Sequence, residues 1–184
     1  MHSLKLSICL CGLLWSLCCW PSSWPSKYDL QIRSASREWL PMLDWRLYKA
    51  QLIQESQLNP NAVSPAGARG IAQFMPGTWA EWQRVSGTLA GPHDPGESIK
   101  AGAWYMYRQR AIWKSPRPED DRHNLALASY NGGAGNIIKS QKLCGGPPLY
   151  EEIMACLHMV TGKHAKETRG YAPAIRHIYK RLTL

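Results

Sequence analysis

In PMLDWRLYKAQLIQES, residues 41–56, Leu43 and Leu47 recur at helical spacing, and so do Tyr48, Leu52 and Glu55. Such spacing marks the buried stripe of a helix. Pro41 fits a first helical position, where its missing N–H costs nothing. TWAEW opens with Thr78-x-x-Glu81, a capping-box pattern. DPGESIKAGAWYMYRQRAIW opens with Asp94-Pro95, and Glu97 is placed to complete a similar cap. DRHNLALASYN runs into Gly132-Gly133, a natural helix stop. YEEIMACLHMV and GYAPAIRHIYKRL predict two more helices. Alternating β-branched runs are nearly absent, and no internal repeat occurs. The pattern predicts an all-α body of at least five helices.

Two segments fall outside that pattern. Residues 21–37 mix Pro, Ser and charge without sustained periodicity, which predicts a linker over 25–40 and a domain over 41–184. Before them, Lys5 precedes an apolar run of about fifteen residues that Pro21 breaks. A comfortable membrane span needs about 20 residues. The segment 1–24 therefore reads as an export signal or, since no clean small-x-small cleavage site follows, an uncleaved N-terminal anchor.

Composition sharpens the picture. With 184 residues there is room for one domain with a self-sufficient core. The formal net charge of +9 speaks about partners. No nucleic-acid-binding signature accompanies it, so nucleic acid is not an expected partner. An anionic wall polymer or membrane surface suits the charge, with membrane contact expected only through the N-terminal segment. Nine Trp stand against one Phe. They serve either as core anchors or as a groove on which sugar rings stack. Outside the first 24 residues only Cys144 and Cys156 remain; an oxidising compartment permits a bond between them, and two unpaired thiols are the alternative. With His158 and His164 they match no zinc-ligand spacing, so neither metal nor cofactor is expected.

ESQLNPNAVSPAGARGIAQFMPGTW, residues 55–79, contains one carboxylate, Glu55. Its side chain ends an apolar helix face. There it is either an exposed helix-end glutamate or a carboxyl whose pKa burial raises into the range of a general acid. Further motifs bear on that choice. Glu55-Ser56 is followed by Ser64, Gly67-Ala68-Arg69-Gly70, Gln73 and Met75; ALASYNGGAGNI and KETRGYAP come later. NGGAGN lacks the strand and Lys-Ser/Thr of a phosphate loop.

In this order and spacing, over roughly residues 42–182, the blocks resemble the catalytic domain of the family 1, soluble-lytic-transglycosylase-like enzymes. The resemblance implies a lysozyme-like α-helical fold. It also implies cleavage of the β-1,4 bond between N-acetylmuramic acid and N-acetylglucosamine in peptidoglycan. Glu55 falls on the catalytic glutamate, and Ser64 on the residue contacting the muramoyl N-acetyl group. Gln73 and Met75 match cleft-lining residues. Tyr130 and Asn131 match the pair facing the scissile bond, and Glu167 and Tyr171 the block that closes the site. The sequence departs from the family at Ala72 and Leu58, where larger and aromatic residues are usual.

Hydrolytic glycosidases usually need two carboxylates. The next acid after Glu55 is Glu81, assigned to a cap, and Asp44 lies eleven residues before it, roughly 16 Å along a helix. Glu167 remains, in a structural role or as a second acid. A lone carboxylate suffices if the muramic C6 hydroxyl is the nucleophile, giving 1,6-anhydro products. The expected setting is outside the cytoplasmic membrane: periplasmic or membrane-tethered, facing the wall. A secretion or conjugation apparatus and a phage virion are the candidate protein partners. A hydrolysing muramidase and a non-catalytic wall-binding module are the alternative functions.

Overall fold

The computed structural model describes residues 24–184, so the signal or anchor expected over residues 1–24 lies outside the described residues apart from Trp24. Among the described residues are α1 (Asp29–Trp39), α2 (Trp45–Ser56), α3 (Pro76–Ser86), α4 (Pro95–Ile112) and α5 (Glu119–Gly132). They continue with α6 (Ala134–Leu143), α7 (Tyr150–Ala155), α8 (His158–Thr161), a 3-10 turn (Gly162–His164) and α9 (Ala165–Leu182). No strand forms among them; Arg69 makes isolated bridges to Val63 and Phe74.

The all-α expectation is met, but the linker is not. Residues 29–39 form α1, and Trp24, Tyr28, Ile32 and Ala35 are buried in the common core. Tyr28, Ile32 and Ala35 follow the i, i+4, i+7 pattern, which Ser and Arg in the intervening positions obscure. Lys49, buried on α2, holds Asp29 of α1 at 2.6 Å. The packed body thus includes residues 24–40 and does not begin at residue 41.

Two helix starts also differ from expectation. α2 begins at Trp45, because Asp44 caps it by accepting from the Arg46 N–H at 2.9 Å. Pro41 sits in the turn before it. α3 begins at Pro76, so Thr78 lies inside the helix and caps nothing; Glu81 instead meets Arg108 at 2.6 Å. Asp94 does cap α4, accepting from the Glu97 N–H at 2.8 Å, and α5 does stop at Gly132. YEEIMACLHMV divides into α7 and α8 around Cys156, which is bonded to Cys144 at the end of α6.

The core runs through α2, α4, α5 and α9, with Ile53, Ile99, Leu125 and Ile175 fully buried. α9 contains Pro173, whose missing N–H leaves the Arg169 carbonyl without its helical partner. The Tyr150 hydroxyl donates to that carbonyl at 3.2 Å, so the helix passes through unbroken. Trp79, Trp82, Trp104 and Trp113 are buried in the core. Among the described residues the indoles are thus mainly anchors, and the sugar-stacking expectation for Trp is not met. No helix of the described residues is long and apolar enough to cross a membrane.

Candidate active site

The last turn of α2 carries Glu55, and two features hold the following loop against it. The Ser56 hydroxyl donates to the Ile71 carbonyl at 2.8 Å. The loop then folds on itself: the Ser64 N–H donates to the Ala68 carbonyl at 2.9 Å, and the Ala68 N–H to the Ser64 hydroxyl at 3.0 Å. The Gly70 N–H donates to the Ala62 carbonyl at 3.0 Å. Gly70 has φ +77°, and a Cβ there would stand 1.8 Å from the Pro92 carbonyl oxygen. Gln57, Leu58 and Gln73 also adopt positive φ, a conformation disfavoured for side-chain-bearing residues. Such strain clusters where a loop is held for function.

A cavity of about 250 Å3 opens on this loop, lined by Glu55, Ser64, Ala66, Ala68, Gln73, Met75, Tyr130, Asn131 and Glu167. A second, of about 310 Å3, shares Gln73, Met75, Tyr130 and Asn131 with it and adds Phe74, Thr78 and Tyr105. The shared side chains make the two halves of one cleft. Its aromatic faces are Phe74, Tyr105 and Tyr130, whose rings stack edge-on in sequence.

Of the sequence-predicted site residues, seven line the first cavity; the eighth, Tyr171, is buried, and its hydroxyl donates to Glu55 Oε1. Glu55 is half-buried, and its pKa is pushed up to about 7. Burial is the main cause; the Tyr171 hydrogen bond opposes it and the Glu167 charge adds to it. Tyr171 itself is held well above its ordinary value by burial and by Glu55.

The remaining polar residues are already tied down. The Tyr130 hydroxyl donates to the Ala72 carbonyl at 2.7 Å, fixing the Gln73 loop to α5. Gln73 Nε2 donates to the Gly70 carbonyl at 2.9 Å. Asn131 Nδ2 donates to Glu167 Oε1 at 3.3 Å, while its Oδ1 accepts from the Thr168 hydroxyl at 2.8 Å. Close packing of α5 on α9 permits this: a Cβ on Gly132 would stand 2.8 Å from the Thr168 side chain. Among the described residues no cluster of His, Cys, Asp and Glu is placed to hold a metal.

Sequence reasoning missed Gln51 and Tyr105. Gln51 is buried beside Tyr171, and its i, i+4 relation to Glu55 was the available signal. Tyr105 had none, since its position in the cleft depends on how α4 packs.

Replacing Tyr171 by Phe removes a hydrogen bond to the ionised carboxylate. Bonds to charged groups contribute about 1.5–3 kcal/mol, so the Glu55 pKa should rise by about one to two units above its value near 7. Carboxyl-carbon NMR of labelled Glu55 reads this directly; an unchanged titration would show that the hydroxyl does not tune the acid.

The model of the Transglycosylase SLT domain matches residues 34–148. The chain belongs to this family. Relatives include membrane-bound lytic murein transglycosylase F of Serratia proteamaculans, 36% identical over 146 residues, covering 76% of this chain and 29% of the relative. The same-named protein of Yersinia enterocolitica is 38% identical over 138 residues, covering 71% of this chain and 27% of the relative. The chain thus spans less than a third of the length of these relatives. Among solved structures, the 70 kDa soluble lytic transglycosylase of Escherichia coli superposes with TM-score 0.63 at 22% identity, covering 86% of this chain and 24% of that one. An inactive Glu→Gln mutant of lytic transglycosylase Slt from Pseudomonas aeruginosa gives TM-score 0.67 at 24% identity, covering 85% and 24%. These likenesses show that the SLT domain here has the lysozyme-like all-α fold.

Proposed function

We propose that this SLT domain is a peptidoglycan lytic transglycosylase in which Glu55 is both general acid and general base. One observation carries the reading. Of the two carboxyls that line the cleft, Glu167 is exposed and Glu55 is half-buried, with a pKa of about 7, and held by Tyr171. A group titrating near working pH exchanges a proton in both directions at small cost. Glu55 first protonates the glycosidic oxygen, and the bond to the muramic C1 breaks. The carboxylate so formed takes the proton of the C6 hydroxyl of the same sugar as that oxygen attacks C1. The nucleophile is tethered, so its effective concentration is high without an ordered water.

The other residues position the substrate. Ser64 accepts from a backbone N–H, which leaves its own proton to donate to the muramoyl N-acetyl carbonyl. The bonds Gln73 makes come from Nε2, leaving Oε1 as an acceptor facing the sugar. The Tyr130 hydroxyl is committed to Ala72, so Tyr130 contributes its ring and the loop's placement. Met75 offers an apolar wall between the two halves.

The relatives are named lytic murein transglycosylases, which supports murein as substrate. The Cys144–Cys156 bond favours an oxidising compartment, in keeping with export to the wall side of the membrane. We assign the chain to that location, with glycan strands as its partner and a secretion apparatus or phage virion as the machinery it would serve. Purified protein should release soluble fragments from sacculi. Retention of sacculi without release would favour a wall-binding module.

Glu167 favours a second reading, a hydrolysing muramidase, because it shares the cavity with Glu55 and its charge raises the Glu55 pKa. Its bond from Asn131 supports a positioning role instead. Glu167→Gln should leave cleavage within about tenfold of wild type and lower the Glu55 pKa, since a like charge is removed. Loss of about 10²–10⁴-fold would mark a second essential carboxylate.

A further inference from the structure

The start of α2 carries a second concave feature that glycan cleavage does not use. A cavity of about 320 Å3 lies between α1 and α2, lined by Arg33, Arg37, Leu43, Asp44 and Trp45 among others. The Arg33 guanidinium stacks on Trp45, 4.2 Å from the ring centre. Among the described residues neither Arg33 nor Arg37 forms an ion pair. Asp44 is the one acid lining this cavity, while Glu38, next to Arg37 in sequence, lines a different one. Asp44 meets Arg46 at 2.8 Å and the Tyr179 hydroxyl at 3.2 Å, and Asp29 meets Lys49 at 2.6 Å. The cavity is therefore cationic.

Leu30, Arg33 and Arg37 form one stripe of α1, opposite the buried Ile32, Ala35 and Ser36. Leu30 is 82% exposed; Met42, 84% exposed in the turn after α1, lines an adjoining cavity that shares Pro41 and Leu43 with this one. In sequence, the apolar run after Lys5 ends at Pro21, and Trp24 and α1 follow directly.

We propose that this face docks on an anionic phospholipid bilayer, with a headgroup phosphate between Arg33 and Arg37 and with Leu30 and Met42 entering the interface. Free cations beside exposed apolar side chains suit a surface that is anionic outside and apolar beneath. The acidic peptides of a cell wall match the charge but give Leu30 and Met42 nothing to enter. Retained as an anchor, the apolar run that ends at Pro21 would keep this end of the body at a membrane, three residues before Trp24. Ten residues separate Trp45 from Glu55, roughly 15 Å along α2, so docking here leaves the glycan cleft at the far end of the helix. The inference needs no glycan chemistry and stands apart from the catalytic reading.

The test is co-sedimentation of the full chain with phosphatidylcholine vesicles, with and without phosphatidylglycerol. The apolar run contributes to both, so the preference for anionic vesicles isolates the charge. Near a membrane each cation contributes about fivefold, so neutralising both as Arg33→Gln and Arg37→Gln should reduce the preference about 30-fold at low salt. Lys at both positions should restore most of it. Lys139→Gln with Lys142→Gln, on α6, should leave it unchanged. Cleavage of soluble glycan fragments should not change in any of these variants. An intact preference in the double Gln variant would overturn the proposal. So would an equal loss in the α6 variant, or a loss confined to sacculus binding.

Discussion

Glu55→Gln should lower peptidoglycan cleavage by about 10³-fold or more while sparing glycan binding, because the amide neither gives nor takes a proton but fills the same place. Two further readouts belong to this variant. In wild type the first step needs the protonated acid. The rate should therefore hold on the acid side and fall as pH rises through about 7. A second carboxylate that must be ionised would add an acid limb and make the profile a bell. Stability supplies the other readout. The pKa is raised in the folded protein, so the group's favourable contribution is complete below its ordinary value of 4.5 and is lost as pH rises through about 7. A glutamine has no such loss. At pH 8 the variant should be more stable than wild type by about 3 kcal/mol, and near pH 4 the two should coincide. Denaturant melts at both values measure it. Equal stability at pH 8 would mean that Glu55 ionises freely.

Gly70→Ala should destabilise the domain by more than about 4 kcal/mol, the range reserved for a clash that cannot relax. The methyl would stand 1.8 Å from the Pro92 carbonyl, and φ +77° is disfavoured for alanine even in open space. Gly67→Ala is the control. Gly67 has φ +87° with nothing within 4 Å, so only the backbone cost of about 1–2 kcal/mol applies. Urea denaturation of both separates the effects. Equal losses would show that close approach to Pro92 does not hold the loop carrying Ser64 and Gln73.

The sequence made the local parts of this structure legible. Glu55 follows Tyr48 and Leu52 on one face of α2, and burial of that face follows from spacing alone. Asp94 and Gly132 mark helix ends because their backbone effects are short-range. α1 was hidden because its core stripe is built partly from Ala and Ser, and polar composition outweighed a correct period. Thr78 carries a capping pattern but lies inside α3, because Pro76 starts that helix two residues earlier. The placements that shape the site are long-range. Tyr171 reaches Glu55 across 116 residues, and Tyr130 reaches Ala72 across 58. No local pattern encodes such a bond. The family resemblance brought Tyr171 to the site, and the packing of α9 on α2 puts its hydroxyl on the acid.

If one carboxylate and the substrate's own C6 hydroxyl break the glycosidic bond, mass spectrometry of the muropeptides released from purified sacculi will show it. Products ending in 1,6-anhydromuramic acid, each lighter by one water than the reducing form, are the expected result. Reducing muramic acid ends in their place would contradict the claim and make Glu167 the second carboxylate of a hydrolase.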